Sequence, residues 1–348
     1  MFPYFFIYVS SFLVSIFKNR KNQNFVCILL VILLGLFAGT RNPGIDNDYF
    51  LYKFYFDTSI KGGYLELKTE LCIYIIPNVV SWFTDNYVNI SLLFFAFISL
   101  SLKIFSIKDY KYFGLAIMLY VSNLFFMQDM TTIRASVSSG VLLWSLKDLI
   151  AKNDKRFFLK LGFAILFHYS SIIFIIIWLV NKFGVKYKWL FVALFLSILV
   201  PVLDLNFISI LHLDALSHKA EIYMKIKEYE EEKLNLFNFK ILISLFYLVV
   251  LYWNRNKIVL PSFDLIIKIH ILSLFFFFFF STTGLTFSQR TFELLSIVQI
   301  VLFPTIIMCF NSKLKLFGYL IVLATSGVFF YYNIYISEIF KEYTSWLF

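Results

Sequence analysis

The chain has 348 residues, 60% of them hydrophobic, 21% aromatic and only 15% charged, with a formal net charge of +10. Together with a mean hydropathy of +0.80, this balance excludes a water-soluble globular domain and points to an integral membrane protein whose core is its helix bundle. It also excludes a nucleic-acid binding patch, because most of the Lys fall in short loops between apolar runs, and the three Cys (Cys27, Cys72 and Cys309) are too far apart for a CxxC metal site.

Met1 to Phe17 is apolar, but its basic residues (Lys18, Arg20 and Lys21) come after it and no small-residue cleavage site follows. It reads as a retained first helix rather than a signal peptide. A second apolar run, Phe25 to Ala38, ends just before Arg41, where Pro43 and Gly44 stop the helix and turn the chain. Asp46, Asn47, Asp48 and Tyr49 follow at once. Carboxylates beside a fixed guanidinium suit an anionic or hydroxyl-rich ligand at a membrane surface, whereas an ordinary interfacial turn needs only one Arg and a Pro-Gly. Segment 64–83 holds Glu66, Glu70, Pro77 and Asn78 among apolar residues and is expected to be an amphipathic or re-entrant helix on the outer face.

Basic clusters recur at Lys18 to Lys21, Lys103 to Lys111, Lys147 to Arg156, Lys182 to Lys188, Arg255 to Lys257 and Lys313 to Lys315. The positive-inside rule places all six in the cytoplasm. The alternation predicts helices near 2–17, 25–40, 86–105, 111–128, 133–150, 157–168, 170–181, 189–203, 239–253, 263–281, 291–310 and 316–335, with both termini outside. Residues 157–181 are long enough for one tilted span. Keeping Lys182, Lys186 and Lys188 inside requires instead two short helices meeting near His168, a break tolerated where it lines a cavity. The outer face then carries loops at 41–63, 128–132, 204–238 and 282–290, and the acidic run KEYEEEK at 227–233 reads as a wet helical face. The fold class is an all-α polytopic integral membrane protein of about 10–12 helices, forming a single transmembrane domain over 1–348.

Among 31 basic residues only six are Arg. Where Arg replaces the default Lys, a planar fork of donors able to hold phosphate or carboxylate through two bonds is the property gained. Arg41, Arg134 and Arg290 all fall at expected outer helix ends, against the positive-inside rule and at one membrane depth, so they are candidates for binding a substrate. The structural alternative pairs Arg134 with Asp129 and Arg290 with Glu293 as buried ion pairs. His168, in AILFHYSS, is either a base or a sugar ligand, or else a packed, hydrogen-bonded residue. Asp46 and Asp48 are the other candidate bases. The DND at 46–48 has the form of a DxD metal motif, but its expected outer-face position lacks nucleotide sugars, so neither a metal nor a cofactor is expected.

Four short pieces, in order along the chain, resemble the EpsG family of bacterial exopolysaccharide proteins, related to the Wzy-type O-antigen and capsule polymerases. They are R-x-x-G-x-D-x-D-Y (Arg41, Gly44, Asp46, Asp48 and Tyr49), T-x-R-A-S (Thr132 to Ser136), A-I-L-F-H-Y-S-S (Ala164 to Ser171) and Q-R-T-F (Gln289 to Phe292). The family pattern more often reads G-T-D-Y, so Ile45, Asn47 and Asp48 leave open which Asp is the counterpart. The resemblance implies a multi-pass protein of the cytoplasmic (inner) membrane with a GT-C-like glycosyltransferase architecture. The implied activity polymerises repeat units linked to undecaprenyl diphosphate on the outer face. Arg41, Arg134, Arg290, Tyr49 and Gln289 would bind the diphosphate and glycan, and Asp46, Asp48 or His168 would act in catalysis. Implied partners are the lipid-linked glycan, membrane lipid, a flippase and a chain-length regulator, with no nucleic acid. A flippase or exporter of lipid-linked saccharide and a membrane O-acyltransferase are the alternatives.

Overall fold

A computed structural model describes residues 1–19, 21–62, 69–205, 235–283 and 285–347. Among these residues the regular structure is helical apart from one isolated bridge, Arg41 to Ser345. The order is α1 (Phe2–Ile16), α2 (Gln23–Gly39), α3 (Tyr49–Lys61), α4 (Leu71–Ser81), α5 (Tyr87–Ser106), and α6 (Phe113–Tyr120), which continues as a π-helix over Val121–Thr131. Next come α7 (Ile133–Ile150), α8 (Asp154–Phe167), a 3-10 turn (Tyr169–Ile173), α9 (Phe174–Lys182) and α10 (Tyr187–Val202). The rest is α11 (Phe239–Trp253), α12 (Phe263–Phe279), α13 (Leu285–Ser296), α14 (Gln299–Leu302), a 3-10 turn (Phe303–Cys309), and α15 (Lys315–Tyr331), which runs into a π-turn at Tyr332–Ile336.

Tyr87–Ser106, Phe113–Thr131 and Lys315–Ile336 are long and apolar enough to cross a membrane. Phe287–Ser296 and Gln299–Cys309 together qualify as a fourth span, bent by 43° at a break, and six shorter apolar helices occur besides these among the described residues. The protein is an all-α polytopic membrane protein. Its contacts gather into two compact units, Met1–Phe174 with Phe310–Phe348, and Ile175–Cys309.

In the first unit α2 runs antiparallel to α5 and touches it backbone to backbone. A Cβ on Gly39 would lie 2.6 Å from Leu93 Cα, and one on Gly35 2.8 Å from the Phe97 ring, so glycine is what admits the close approach. The α7 helix runs parallel to α5 but starts halfway along it, with Ser136 Oγ 2.7 Å from Ser99 Oγ and Gly140 against Leu102. At one end of this unit the basic clusters gather. Lys18 covers the Phe113 ring, Lys108 donates to Asn24, and Lys147 pairs with Asp109. At the other end, residues 341–346 lie antiparallel along 40–45 through Lys341 N to Ile45 O, Asn42 N to Thr344 O and Trp346 N to Thr40 O. Tyr4 Oη donates to Lys341 O, so α1 starts at this end as well.

In the second unit α12 packs against α10, α11 and α13. Gln299 Nε2 donates to Ser244 Oγ (3.0 Å), His270 Nε2 lies 3.0 Å from Ser244 O, and Tyr247 stacks on Phe303. Thr282 Oγ1 donates to Leu205 O.

Five expectations change, two of them because helices extend into expected loops: the π-helix runs through Thr131 into the loop expected at 128–132, and α13 begins at Leu285 inside the one expected at 282–290. The loop expected at 41–63 contains α3, whose low apolarity hid it. Tyr49, Tyr52, Phe56 and Ser59 form its buried stripe, at helical spacing, and Phe56 stacks on Phe95 of α5. Lys103, counted among the cytoplasmic charges, is buried inside the bundle at 1% exposure. The helix expected at 291–310 is broken between Ser296 and Gln299. The acidic run at 227–233 and nearly all of the 204–238 loop lie outside the described residues.

Candidate active site

The turn after α2 is built around Arg41, which is 0% exposed. Its Nε donates to Asp46 Oδ2 (2.5 Å), Nη1 to Ala38 O (2.5 Å), and Nη2 to Met130 O at the end of the π-helix. Asp46 is equally committed, because its other oxygen accepts the Asp48 amide at 3.0 Å. Gly44 makes the reversal possible by taking φ +77°, a left-handed conformation open to glycine. Asp48 is half-buried at the N-terminal cap of α3. Tyr49 Oη donates to Asn89 Oδ1 (2.7 Å), and burial pushes the Tyr49 phenol up from its ordinary pKa, keeping it a donor. The predicted cluster therefore exists, but Arg41 and Asp46 are consumed in holding the turn.

A second centre forms where α3, α4, α7 and α8 meet, around Glu70, whose side chain is 0% exposed. Arg134 Nη1 donates to Glu70 Oε2 and, at 3.1 Å, to Thr69 Oγ1. Thr69 Oγ1 itself donates to Glu70 Oε2 at 2.7 Å. The other oxygen, Oε1, faces His168 Nδ1 and the Tyr169 amide, each at 3.5 Å. The α8 helix ends at Phe167 because His168 takes an extended backbone, φ −154° and ψ 114°. That break turns the imidazole and the next amide toward the carboxylate. The rings of Tyr52 and Tyr55 stand 5.7 Å from the Arg134 guanidinium, within range of cation–π attraction, and the Tyr169 phenol donates to Thr69 O. Arg134 and His168, 34 residues apart, thus converge on one buried carboxylate. In the sequence Glu70 is only one charge on an expected amphipathic helix, and the signal it offers is an acid immediately before an apolar run.

Neither structural ion pair proposed from sequence proximity forms. Arg134 pairs with Glu70 rather than Asp129, and Glu293 pairs with Lys240 (3.7 Å) rather than Arg290. Asp129 belongs to Lys103, whose Nζ lies 3.1 Å from its Oδ2 and also donates to Gln128 Oε1 (3.0 Å) and Ser136 Oγ (2.6 Å). Tyr120 Oη and Ser136 Oγ donate to the two oxygens of Asp129. This satisfied buried network ties α5 and the π-helix to the first turn of α7, the turn that carries Arg134. The cost of burying both charges is offset only because every partner is in place.

Arg41 and Arg134 also differ in depth. The Gly39–Leu93 contact sets Arg41 near the level of Ser91, and the Ser99–Ser136 bond sets Arg134 near Phe97. Six residues of helix separate those levels, about 9 Å. Arg290 and Gln289 lie on α13 of the second unit, Arg290 half-buried and Gln289 exposed. Among the described residues neither side chain has an ion pair or hydrogen-bond partner.

No curated protein and no solved structure matches the chain. A sequence model described as the EpsG family matches residues 24–345, which include all four motifs, both centres of the first unit and Arg290. Nearly the whole chain is thus accounted for by one exopolysaccharide-related, polymerase-like family of membrane proteins, and the protein belongs to the EpsG family.

Proposed function

We propose that the protein is a polysaccharide polymerase joining oligosaccharide repeat units carried on undecaprenyl diphosphate, at the outer face of the cytoplasmic membrane. The observation that carries this reading is the meeting of Arg134 and His168 on the buried carboxylate of Glu70. In the transfer, a hydroxyl of the acceptor unit attacks the anomeric carbon of the growing chain. The bond from that carbon to the diphosphate oxygen breaks, its electron pair stays on the lipid diphosphate, and the hydroxyl proton passes to a base. The reaction therefore calls for a base near the acceptor and a cation near the leaving group. His168 takes the first role. With Glu70 facing Nδ1, the imidazole carries its proton there and presents Nε2 as acceptor. A 3.5 Å separation exceeds a firm hydrogen bond, as catalytic pairs commonly do before substrate binds. Arg134, 13% exposed between two Tyr rings, takes the second, and Arg290 is kept as a diphosphate-binding candidate on its Q-R-T-F motif alone. A separate flippase supplies the units, and a chain-length regulator acts on the product.

The test uses the purified full chain in vesicles with lipid-diphosphate-linked repeat units. Release of lipid diphosphate in proportion to glycan length, lost in His168→Gln at unchanged protein level, supports the polymerase. Transbilayer movement of intact units without diphosphate release would make it an exporter. Acyl transfer without chain growth would make it an acyltransferase.

A further inference from the structure

A cleft of about 520 Å³ opens between α5, α7 and α8 at the basic end of the first unit, away from the Glu70 centre. Its walls come in a fixed order. The apolar part is Leu102, Phe105, Leu143 and Trp144. The polar part carries four cations, Lys108, Lys147, Arg156 and Lys160, against one lining carboxylate, Asp148. That carboxylate is already spent on Lys160. Lys160 is fixed besides by a bond from Nζ to Trp144 O (2.9 Å) and by its position 3.9 Å over the Trp144 ring. Lys147 is 68% exposed, paired at 3.6 Å with an Asp109 that is itself 59% exposed. Arg156 is exposed, and no described side chain neutralises it.

The placement says what such a cleft takes. The spanning helix α5 ends at Ser106, so the hydrocarbon boundary falls inside the cleft. Leu102 and Phe105 stand on the hydrocarbon side of it, while Lys108, Lys147 and Arg156 stand at the helix ends. A phospholipid presents the same sequence, acyl chain and then phosphate, and basic pockets between membrane helices hold anionic headgroups. A soluble anion would leave the apolar wall empty, and a zwitterionic lipid would bring its own cation to a site with an excess of them. We propose that this cleft is a binding site for an anionic phospholipid of the surrounding membrane, its phosphate held by Lys147 and Arg156 and its chain laid along Phe105 and Trp144, which Lys160 fixes in place.

Trp144 makes the site observable. The purified full chain is reconstituted in phosphatidylcholine vesicles containing either phosphatidylglycerol or phosphatidylcholine with brominated acyl chains, and tryptophan quenching is followed. The expected result is stronger quenching by brominated phosphatidylglycerol than by brominated phosphatidylcholine, with the difference abolished in Trp144→Phe. Lys147→Gln and Arg156→Gln should each lower the phosphatidylglycerol preference by about five-fold, the worth of one surface cation. Their quenching by brominated phosphatidylcholine should stay unchanged, showing the proteins still folded and inserted. Equal quenching by the two lipids would overturn the proposal, as would a preference that survives both substitutions. Loss of the preference on adding millimolar inorganic phosphate at constant ionic strength would also overturn it, by showing that the site selects a free anion. No outcome depends on the proposed polymerase activity.

Discussion

Glu70 stands 3.5 Å from His168 Nδ1 while its other oxygen accepts from Arg134. One buried acid therefore orients the proposed base and neutralises the proposed diphosphate ligand. Glu70→Gln keeps the shape and removes the charge from a fully buried position. Breaking a buried pair by losing one partner costs about 3–5 kcal/mol; slight exposure of Arg134 places the expected loss at the low end. Thermal unfolding of the purified protein should show it. Retention of wild-type stability would mean that the Glu70–Arg134 pair adds nothing to the fold.

The two centres separate the base candidates. Asp46 accepts from Arg41 and from the Asp48 amide inside a closed turn, so Asp46→Asn should reduce protein level, leaving Arg41 buried without a counter-ion. His168→Gln should leave protein level near wild type and remove polymer, since the cap at the end of α8 is made by the His168 backbone N–H, which the substitution keeps, and the side chain is 15% exposed. The measurement is polymer yield normalised to membrane protein level. Normal abundance with no polymer in Asp46→Asn would return that carboxylate to the chemistry.

Most helices were legible because each apolar run between basic clusters has one dominant fate in a membrane. The break at His168 could also be read, since His168 to Ser171 would otherwise lie in hydrocarbon. What could not be read depends on partners distant in sequence. Glu70 is 64 residues from Arg134, so proximity pointed instead to Asp129, and Asp129 is held by Lys103, 26 residues earlier. Lys103 sits in a run of cytoplasmic Lys, and only its partners on the π-helix and α7 distinguish it from them. The α3 helix was missed because its buried stripe is Tyr-rich and narrow, giving no continuous apolar run. The return of residues 341–346 along 40–45 joins residues about 300 positions apart through backbone hydrogen bonds and the side-chain bonds Asn42 to Thr344 and Ser345 to Thr40, a pairing that no local sequence pattern shows.

The contact of α2 with α5 gives a stability test independent of function. Ala at Gly39 would meet Leu93 Cα, which cannot yield without moving a helix, whereas Ala at Gly35 would meet only the Phe97 ring. Alanine gains about 1 kcal/mol of helix propensity over glycine, and overpacking costs about 1–3 kcal/mol. Gly39→Ala should therefore lower thermal stability and Gly35→Ala should be close to neutral. Leu93→Ala should fail to rescue Gly39→Ala, because the backbone clash remains. Equal effects at the two glycines would contradict the close approach.

The grouping of basic residues at one end of the first unit predicts sidedness. Asn47, beside the Thr40–Asp46 turn, and Ser312, beside Lys313, are both exposed. With the native Cys replaced, Asn47→Cys should react with a membrane-impermeant maleimide in intact cells, or in spheroplasts where an outer membrane exists. Ser312→Cys should react only after permeabilisation. The reverse pattern would put the proposed active site on the cytoplasmic side.

The three Arg expected at outer helix ends should part company when each is changed to Lys. Arg41 uses its guanidinium in three directions at once, to Asp46, Ala38 O and Met130 O. One ammonium group on a flexible stem does not reproduce that fork, so Arg41→Lys should lower protein level and lose polymer only in proportion. Arg134→Lys keeps a charge for Glu70 but loses the planar group between Tyr52 and Tyr55; protein level should fall modestly and polymer much further. Arg290 has no ion pair among the described residues, so folding makes no evident demand on its shape. Arg290→Lys should leave protein level at wild type while polymer yield falls, because a diphosphate offers paired oxygens that a fork holds through charge-assisted bonds and a point charge does not. The deciding quantity is polymer length and yield per unit of inserted protein. Wild-type values for both Arg134→Lys and Arg290→Lys would remove the guanidinium groups from diphosphate binding and leave Arg134 as the structural partner of Glu70.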